Sequence, residues 1–164
     1  MAFDAFVQID GIAGESTDHQ HPGWIEALAV GTQVRQTISS TVSSAGGATA
    51  ERANFDTFNF SKFVDKATPL LMQACASGTV VKQIQVELYR AGPERVKYMA
   101  YTLTNSIIKS VFTNSGDPKN GFPVDLVKIS YGKIQWRYTQ QRRQGGGVAG
   151  HIAAGWDLQR NCVL

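Results

Sequence analysis

The sequence has few charged residues and few cysteines, and each shortage argues against a class of protein. Asp, Glu, Lys and Arg make up 18% of the 164 residues, below the usual share of about a quarter. The formal net charge of +3 falls well short of the basic stripe of a dedicated nucleic-acid binder. Cys75 and Cys162 have no CxxC or zinc-finger spacing, which predicts two free, reduced thiols, with a disulfide as the alternative.

Long apolar runs are also missing. No stretch of the sequence approaches the ~20 apolar residues needed to cross a bilayer, so we expect no membrane insertion. Residues 1–6 contain an early acid and no Lys or Arg, which predicts no Sec signal peptide. We therefore expect assembly in the cytoplasm, with any export through another machine.

The motifs of common enzymes are absent too. The chain has no GxSxG elbow, and its glycine run at 145–147 lacks the GxxxxGK[ST] pattern of a phosphate loop. One polar cluster could suggest a metal site, but its spacing fits no zinc pattern and favours a capped polar turn. Its members are Glu15, Ser16, Asp18, His19 and His21. We predict no catalytic residue, no metal and no cofactor.

Most of the chain alternates between apolar and polar residues, which is typical of half-buried strands. The clearest case places Ile84, Val86 and Leu88 on one face. The alternation changes face at Gly132 and again around Asn105, and each change indicates a β-bulge. Strands that bend in this way favour a small antiparallel β-barrel over a flat sheet.

One helix is predicted between these strands. Thr68 is the expected N-cap, Pro69 the first helical residue and Gly78 the stop. Leu71, Met72 and Cys75 are expected to face the barrel. The fold class is therefore mainly β with one principal helix packed on the side of the barrel, in a single domain over residues 1–164.

Six segments of the chain carry a family pattern. The longest are FVQIDGIAGES at 6–16, HPGWIE at 21–26 and FNFSKFVDKATP at 58–69, continued by ACASG at 74–78, YGKI at 131–134 and GWDL at 155–158. In their order and spacing these segments resemble the Hcp (haemolysin-coregulated protein) family of type VI secretion. The resemblance implies a non-enzymatic homo-oligomer, a hexameric ring that stacks into a tube. It also implies sheath, spike and effector proteins as partners, with effectors carried in the bore and the subunit secreted with them.

Within this family resemblance we predict two contact sites. The strand after Trp24 has small or polar residues on one parity, so Gly31, Gln33 and Arg35 are predicted to face the bore and the cargo. Leu28 and Val30 have the opposite parity and are predicted to enter the core. A long Ser- and Gly-rich connection follows at 37–50 and is predicted to contact a neighbouring subunit or ring. The residues proposed for that contact are Ser43, Ser44, Ala45, Gly46, Gly47 and Ala48.

A basic nucleic-acid-binding module is the alternative function. Lys133, Arg137, Arg142 and Arg143 lie near Trp136 and Tyr138 in the sequence, and basic residues interleaved with aromatic rings can bind single strands. By parity, however, the two rings face away from Lys133 and Arg137, which favours core aromatics behind a solvated face. The leading interpretation therefore includes no nucleic acid among the partners.

Overall fold

Antiparallel strands form most of what the computed structural model describes, which is residues 3–38, 51–90, 95–115, 121–141 and 148–164. In these ranges one helix accompanies eleven strands. In chain order they are β1 (Phe3–Ile9), β2 (Ile25–Ala27), β3 (Ala29–Gly31), β4 (Val34–Arg35), β5 (Asn54–Phe55), β6 (Phe58–Phe63), α1 (Ala67–Ser77), β7 (Val80–Arg90), β8 (Lys97–Asn114), β9 (Val124–Gln141), β10 (Val148–Asp157) and β11 (Cys162–Val163).

The main sheet is a meander of antiparallel strands. Its hydrogen-bonded order is β11-β10-β9-β8-β7-β1-β2, while β6 pairs with both β9 and β3. β4 and β5 form a separate two-stranded sheet. Because β2 and β3 are consecutive and separated only by Leu28, the chain itself joins the β2 end of this order to the branch in which β3 and β6 pair alongside β9.

This arrangement confirms the predicted fold class, which is mainly β and antiparallel with one helix on its side. The sheet differs from the predicted closed barrel, because within the described residues the hydrogen-bonded strands do not form a continuous ring. Residues 25–31 close the circuit covalently: Ile25 to Ala27 pair with β1, and Ala29 to Gly31 pair with β6.

The core consists of the inward residues of this circuit. Ile84 and Val86 are fully buried, as the alternation predicted, and Leu88 is nearly so. Phe6 is buried as well, although it lies on the opposite face of β1 from Val7. Both faces of β1 are buried at this point because the turn that contains His21 packs against its outer face.

Helix α1 begins two residues earlier than predicted. The N-cap position is Lys66, and the predicted N-cap Thr68 lies inside the first turn. Asp65 caps the helix instead, since its Oδ1 accepts a hydrogen bond from the backbone N–H of Ala67 at 2.8 Å. Pro69 is compatible with this start because the first turn of a helix leaves its N–H groups unbonded. Gly78 ends the helix as predicted, with φ of 64°.

The inward face of α1 is narrower than predicted. Leu71 is fully buried, and Cys75 is half-buried against the core. Met72, however, is 42% exposed, so its predicted contact with the sheet was wrong. Cys75 and Cys162 are both free thiols.

The change of face at Gly132 is present, but it involves no shift of register. Thr104 pairs with Lys133 and Ser106 with Tyr131, which leaves the pairing in step across Gly132 and Asn105. Both strands change face together because Asn105 adopts a left-handed conformation with φ of 53°. A Cβ at Gly132 would lie 3.3 Å from the Asn105 side chain, which accounts for glycine there. The register shift between β8 and β9 falls elsewhere, between Ile108 and Ser110.

Candidate functional site

The residues predicted to face cargo lie at the edge strand β3 of the main sheet and in the segment that follows it. Gly31 ends β3 and pairs with Asn59 of β6. Gln33 follows in the connection to β4, and its backbone carbonyl accepts a hydrogen bond from the N–H of Asp56 at 3.0 Å. Arg35 lies in β4 and donates from its guanidinium to Asp56 Oδ1 at 2.9 Å. The three residues alternate along five consecutive positions, and Asp56 binds the side chain of the last one.

A polar cleft of about 640 Å³ opens beside them. Gly31 and Gln33 line it together with Asp56, Asn59, Lys109 and Lys128. Four separate segments of the chain supply these residues, so only the folded sheet brings them together. The cleft can accept a polar segment of another molecule, and its charged groups are two lysines and one aspartate already bound to Arg35.

The sequence suggested an unbroken alternation of faces along the segment that carries Gly31, but in the structure this alternation is interrupted. Ala27 packs on the core side of β2, whereas Leu28 is 44% exposed and Val30 packs inward. The face changes at Leu28, whose N–H donates to the carbonyl of Ser61 at 2.8 Å. The prediction that Leu28 enters the core was therefore wrong, because this residue is where the strand leaves β1 and joins β6.

The second predicted contact lies outside the described residues. It comprises Ser43, Ser44, Ala45, Gly46, Gly47 and Ala48, and the described chain stops at 38 and resumes at 51. Arg142 and Arg143 of the alternative nucleic-acid surface also lie outside the described residues.

The described part of that alternative surface is partly engaged in other contacts. Lys133 Nζ lies 3.2 Å from Asp157 Oδ2. Trp136 packs against the core, as the parity predicted, but Tyr138 is 42% exposed. The interpretation of Tyr138 as a core residue was wrong, because β9 extends beyond the core at this end of the sheet.

The polar cluster in the turn before β2 is built around a buried histidine. His21 is 2% exposed, and its Nδ1 lies 2.8 Å from Asp18 Oδ1. Its Nε2 lies 3.0 Å from Glu87 Oε2 on β7. Both ring nitrogens therefore lie within hydrogen-bond distance of a carboxylate oxygen. The ring also stacks on Phe6, with centroids 4.3 Å apart.

Further cations and donors surround the same two carboxylates. Arg95 pairs with Asp18, and a strong hydrogen bond from its guanidinium holds the pKa of that carboxyl well below its usual range. Burial would raise the pKa of Glu87, but hydrogen bonds from Lys97, His21 and Tyr89 outweigh it and lower the pKa. The pKa of Tyr89 is raised by burial and by its bond to Glu87. We call these residues the His21 cluster: Asp18, His21, Glu87, Tyr89, Arg95 and Lys97.

The His21 cluster positions the strand that leads to the cleft. Asp18 Oδ1 also accepts from the backbone N–H groups of Gln20 and His21 at 3.1 Å each, which fixes the turn as the capped structure that was predicted. The contact between His21 and Glu87 attaches this turn to β7. His21 lies four residues before the start of β2 at Ile25. The sequence did not reveal Glu87 as the partner, because 66 residues separate it from His21 and only the strand register brings the two together.

A second buried charge anchors the helix. Lys62 is fully buried, and its Nζ lies 2.6 Å from Asp65 Oδ1 and 3.0 Å from Asp125 Oδ2. Burial would raise the pKa of Asp125, but hydrogen bonds from Thr113, Thr68 and Lys62 lower it. Because every charge in this group has a partner of opposite sign, the group fixes the start of α1 to β6 and β9.

Comparison with known proteins identifies the relatives of this chain. Residues 6–138 match the family model described as type VI secretion system effector, Hcp. The chain belongs to the Hcp family. Protein hcp1 of Pseudomonas aeruginosa is 32% identical over 162 residues, which cover 98% of each chain. The predicted family is thereby confirmed.

Solved structures agree with this membership. Hcp1 from Salmonella typhimurium matches with a TM-score of 0.79 and 27% identity, covering 100% of both chains. A structure described as a type six secretion system protein matches with a TM-score of 0.92 over 99% of this chain. At 24% identity the latter supports the fold alone. In the ranges that the structure describes, no helix is long and apolar enough to cross a membrane.

Proposed function

We propose that this Hcp-family chain is a non-enzymatic tube subunit of a type VI secretion machine. Six copies form a ring, rings stack into a tube within a sheath and beneath a spike, and effector proteins travel in the bore. The observation that carries the proposal is family membership. The alignment with Protein hcp1 covers 98% of this chain and 98% of that relative. Assembly takes place in the cytoplasm, and export follows through the machine itself.

The name of a second relative supports export. A protein of Pseudomonas aeruginosa named Major exported protein is 32% identical over 92 residues, which cover 52% of this chain. A subunit secreted with its cargo is consistent with that name.

The chemistry of the buried charges supports a structural role. His21 is enclosed, and both of its ring nitrogens already contact carboxylates, so a substrate could not reach it without breaking the cluster. Lys62 is equally enclosed, with Asp65 and Asp125 as partners. Catalytic acids and bases must come within hydrogen-bond reach of a substrate, and these groups instead hold the fold together.

Gly31, Gln33 and Arg35 are proposed to face the bore and to contact cargo. Support comes from Gly31 and Gln33, which line a polar cleft, and from Arg35, whose side chain binds Asp56 of the same cleft. In a ring each residue is repeated once per subunit, so weak contacts act together on a cargo that reaches several copies.

The connection at Ser43 to Ala48 is proposed to contact a neighbouring subunit or ring. A Ser- and Gly-rich segment of this kind carries few apolar residues of its own, so we expect its contacts to be made with a partner. Deleting these six residues should weaken tube formation in electron micrographs and leave the circular dichroism of the sheet unchanged. Loss of the fold would instead show that the segment belongs to the core.

Electron microscopy of the purified protein tests the proposed function. Negatively stained particles should be rings with a central bore, and some should stack end to end. A field of small compact particles with no bore at any concentration would contradict the proposal.

A further inference from the structure

A β-bulge places two lysines side by side on the outer face of the sheet. Ile108 of β8 pairs with Ile129 of β9, but the next pair is Ser110 with Lys128, so Lys109 is the extra residue of a bulge. Both isoleucines are buried, while Lys109 and Lys128 are exposed on the opposite face. Like charges in neighbouring strands destabilise a sheet, so this pair has a cost that an anion would relieve.

The two lysines belong to a row that crosses four strands. Lys128 pairs with Asn59 on β6, and Asn59 pairs with Gly31 on β3. We call Gly31, Asn59, Lys128 and Lys109 the lysine row. A Cβ at Gly31 would come within 2.8 Å of Asn59 Oδ1, so the glycine leaves room for the Asn59 amide to lie across the row.

The charges around the lysine row are unbalanced. Asp56 is the acidic residue that lines the cleft, and it is already bound to Arg35 at 2.9 Å. Among the ion pairs of the described residues, none includes Lys109 or Lys128. The cleft therefore presents two ammonium groups, with an amide beside them, and no anion of the described chain neutralises them.

The aromatic residues of the cleft argue against a nucleic acid as the ligand. The Phe55 ring is stacked on Trp136 and Trp156, with centroids 6.5 and 6.3 Å apart. Tyr131 is buried, and its hydroxyl donates to the carbonyl of Asp56 at 3.0 Å. Binding of single strands relies on aromatic faces that are open for base stacking, and these two rings are engaged within the chain.

From this geometry we infer that the lysine row binds an acidic segment of the cargo protein. Carboxylates of the segment contact the ammonium groups of Lys109 and Lys128, and the side-chain amide of Asn59 donates to the segment beside them. The inference rests on the proposed function in one respect only, which is that the partner is cargo. It adds a chemical class to that partner and gives Gly31 a defined part in the site.

The test uses a fluorescent poly-glutamate peptide and follows its anisotropy at low salt, where exposed charges are least screened. The double variant Lys109→Gln/Lys128→Gln should bind the peptide about tenfold more weakly than the wild type, as expected for the loss of two exposed ion pairs. The matched control is Lys66→Gln/Lys82→Gln, which removes two other exposed lysines and should leave the affinity unchanged.

Three results would overturn the inference. One is equal peptide affinity in the wild type and the Lys109→Gln/Lys128→Gln variant. Another is tighter binding of a poly-dT strand of matched length than of the peptide, with the same dependence on the two lysines. The third is dissociation of rings in native mass spectra of that variant, which would place the row at a subunit interface. A monomeric wild type would contradict the proposed function alone, because the row lies within one chain and its peptide affinity can still be compared.

Discussion

The His21 cluster and the lysine row use charge in opposite ways. In the cluster, His21 is enclosed and meets Asp18 and Glu87 at 2.8 and 3.0 Å. In the row, Lys109 and Lys128 are exposed, with no ion pair among the described residues. Charges of the first kind hold the fold, since removing one partner leaves the other buried without compensation. Charges of the second kind remain available to another molecule.

The largest effect is expected at the buried Lys62. Replacing Lys62 with Met removes the cation that both Asp65 and Asp125 contact, and the unfolding free energy should fall by about 3–5 kcal/mol. Urea unfolding measures the loss. The exposed Lys66 four residues later is the control, and Lys66→Met should cost close to nothing. Equal losses at the two positions would remove the distinction between buried and exposed charge.

The two sides of α1 extend the comparison to apolar residues. Leu71→Ala should lower the unfolding free energy by about 2–5 kcal/mol because the side chain is fully buried. Met72→Ala, next to it in sequence but 42% exposed, should cost less than about 1 kcal/mol. A cost near zero at Leu71 would show that this residue points outward and that α1 packs on another face.

Acid should weaken the His21 cluster before it affects the lysine row. The folded pKa values of Asp18 and Glu87 are lowered, the first chiefly by Arg95 and the second by donors that outweigh burial. Between the folded and unfolded values the unfolded chain binds more protons, so the stability is present above about pH 4–5 and lost as the pH falls further. Urea midpoints measured at one protein concentration between pH 7 and pH 3 should show this decline, and Asp18→Asn should flatten it. An unchanged slope in that variant would mean that the cluster does not control acid stability.

The smallest effect on stability is expected at Gly31. A Cβ there meets only the end of the Asn59 side chain, which can move, so Gly31→Glu should change the unfolding free energy by no more than about 0.5 kcal/mol. The ring should still assemble, while co-purification of its effector should be lost. Unchanged effector retention in an intact ring would refute the assignment of this face to the cargo. Disassembly would instead place Gly31 at a subunit interface.

Local patterns predicted the elements better than their connections. The alternation of Ile84, Val86 and Leu88 identified β7, and Gly78 ended the helix, because both signals act within a few residues. The exposure of Leu28 and Tyr138 was missed because it depends on where a strand changes partner or extends beyond the core. The helix starts earlier than predicted because Asp65, which Lys62 contacts, caps it in place of Thr68.

The site was predictable only in part, for a similar reason. Gly31, Gln33 and Arg35 followed from strand parity and the family resemblance, and their contact with cargo stays a prediction. Asn59, Lys109 and Lys128 could not be found, because they come from other strands and depend on a bulge that shifts the register by one residue. His21 was noticed for its type, but Glu87 is too distant in sequence for any local pattern to pair them.

Native mass spectrometry of the purified protein at micromolar concentration tests the central claim most directly. A tube subunit should give a dominant species of six copies of the 17.8 kDa chain. This species should persist on dilution to a degree that reflects the strength of the ring contacts. A dominant monomer at every concentration would contradict the assignment of this chain as a ring-forming subunit.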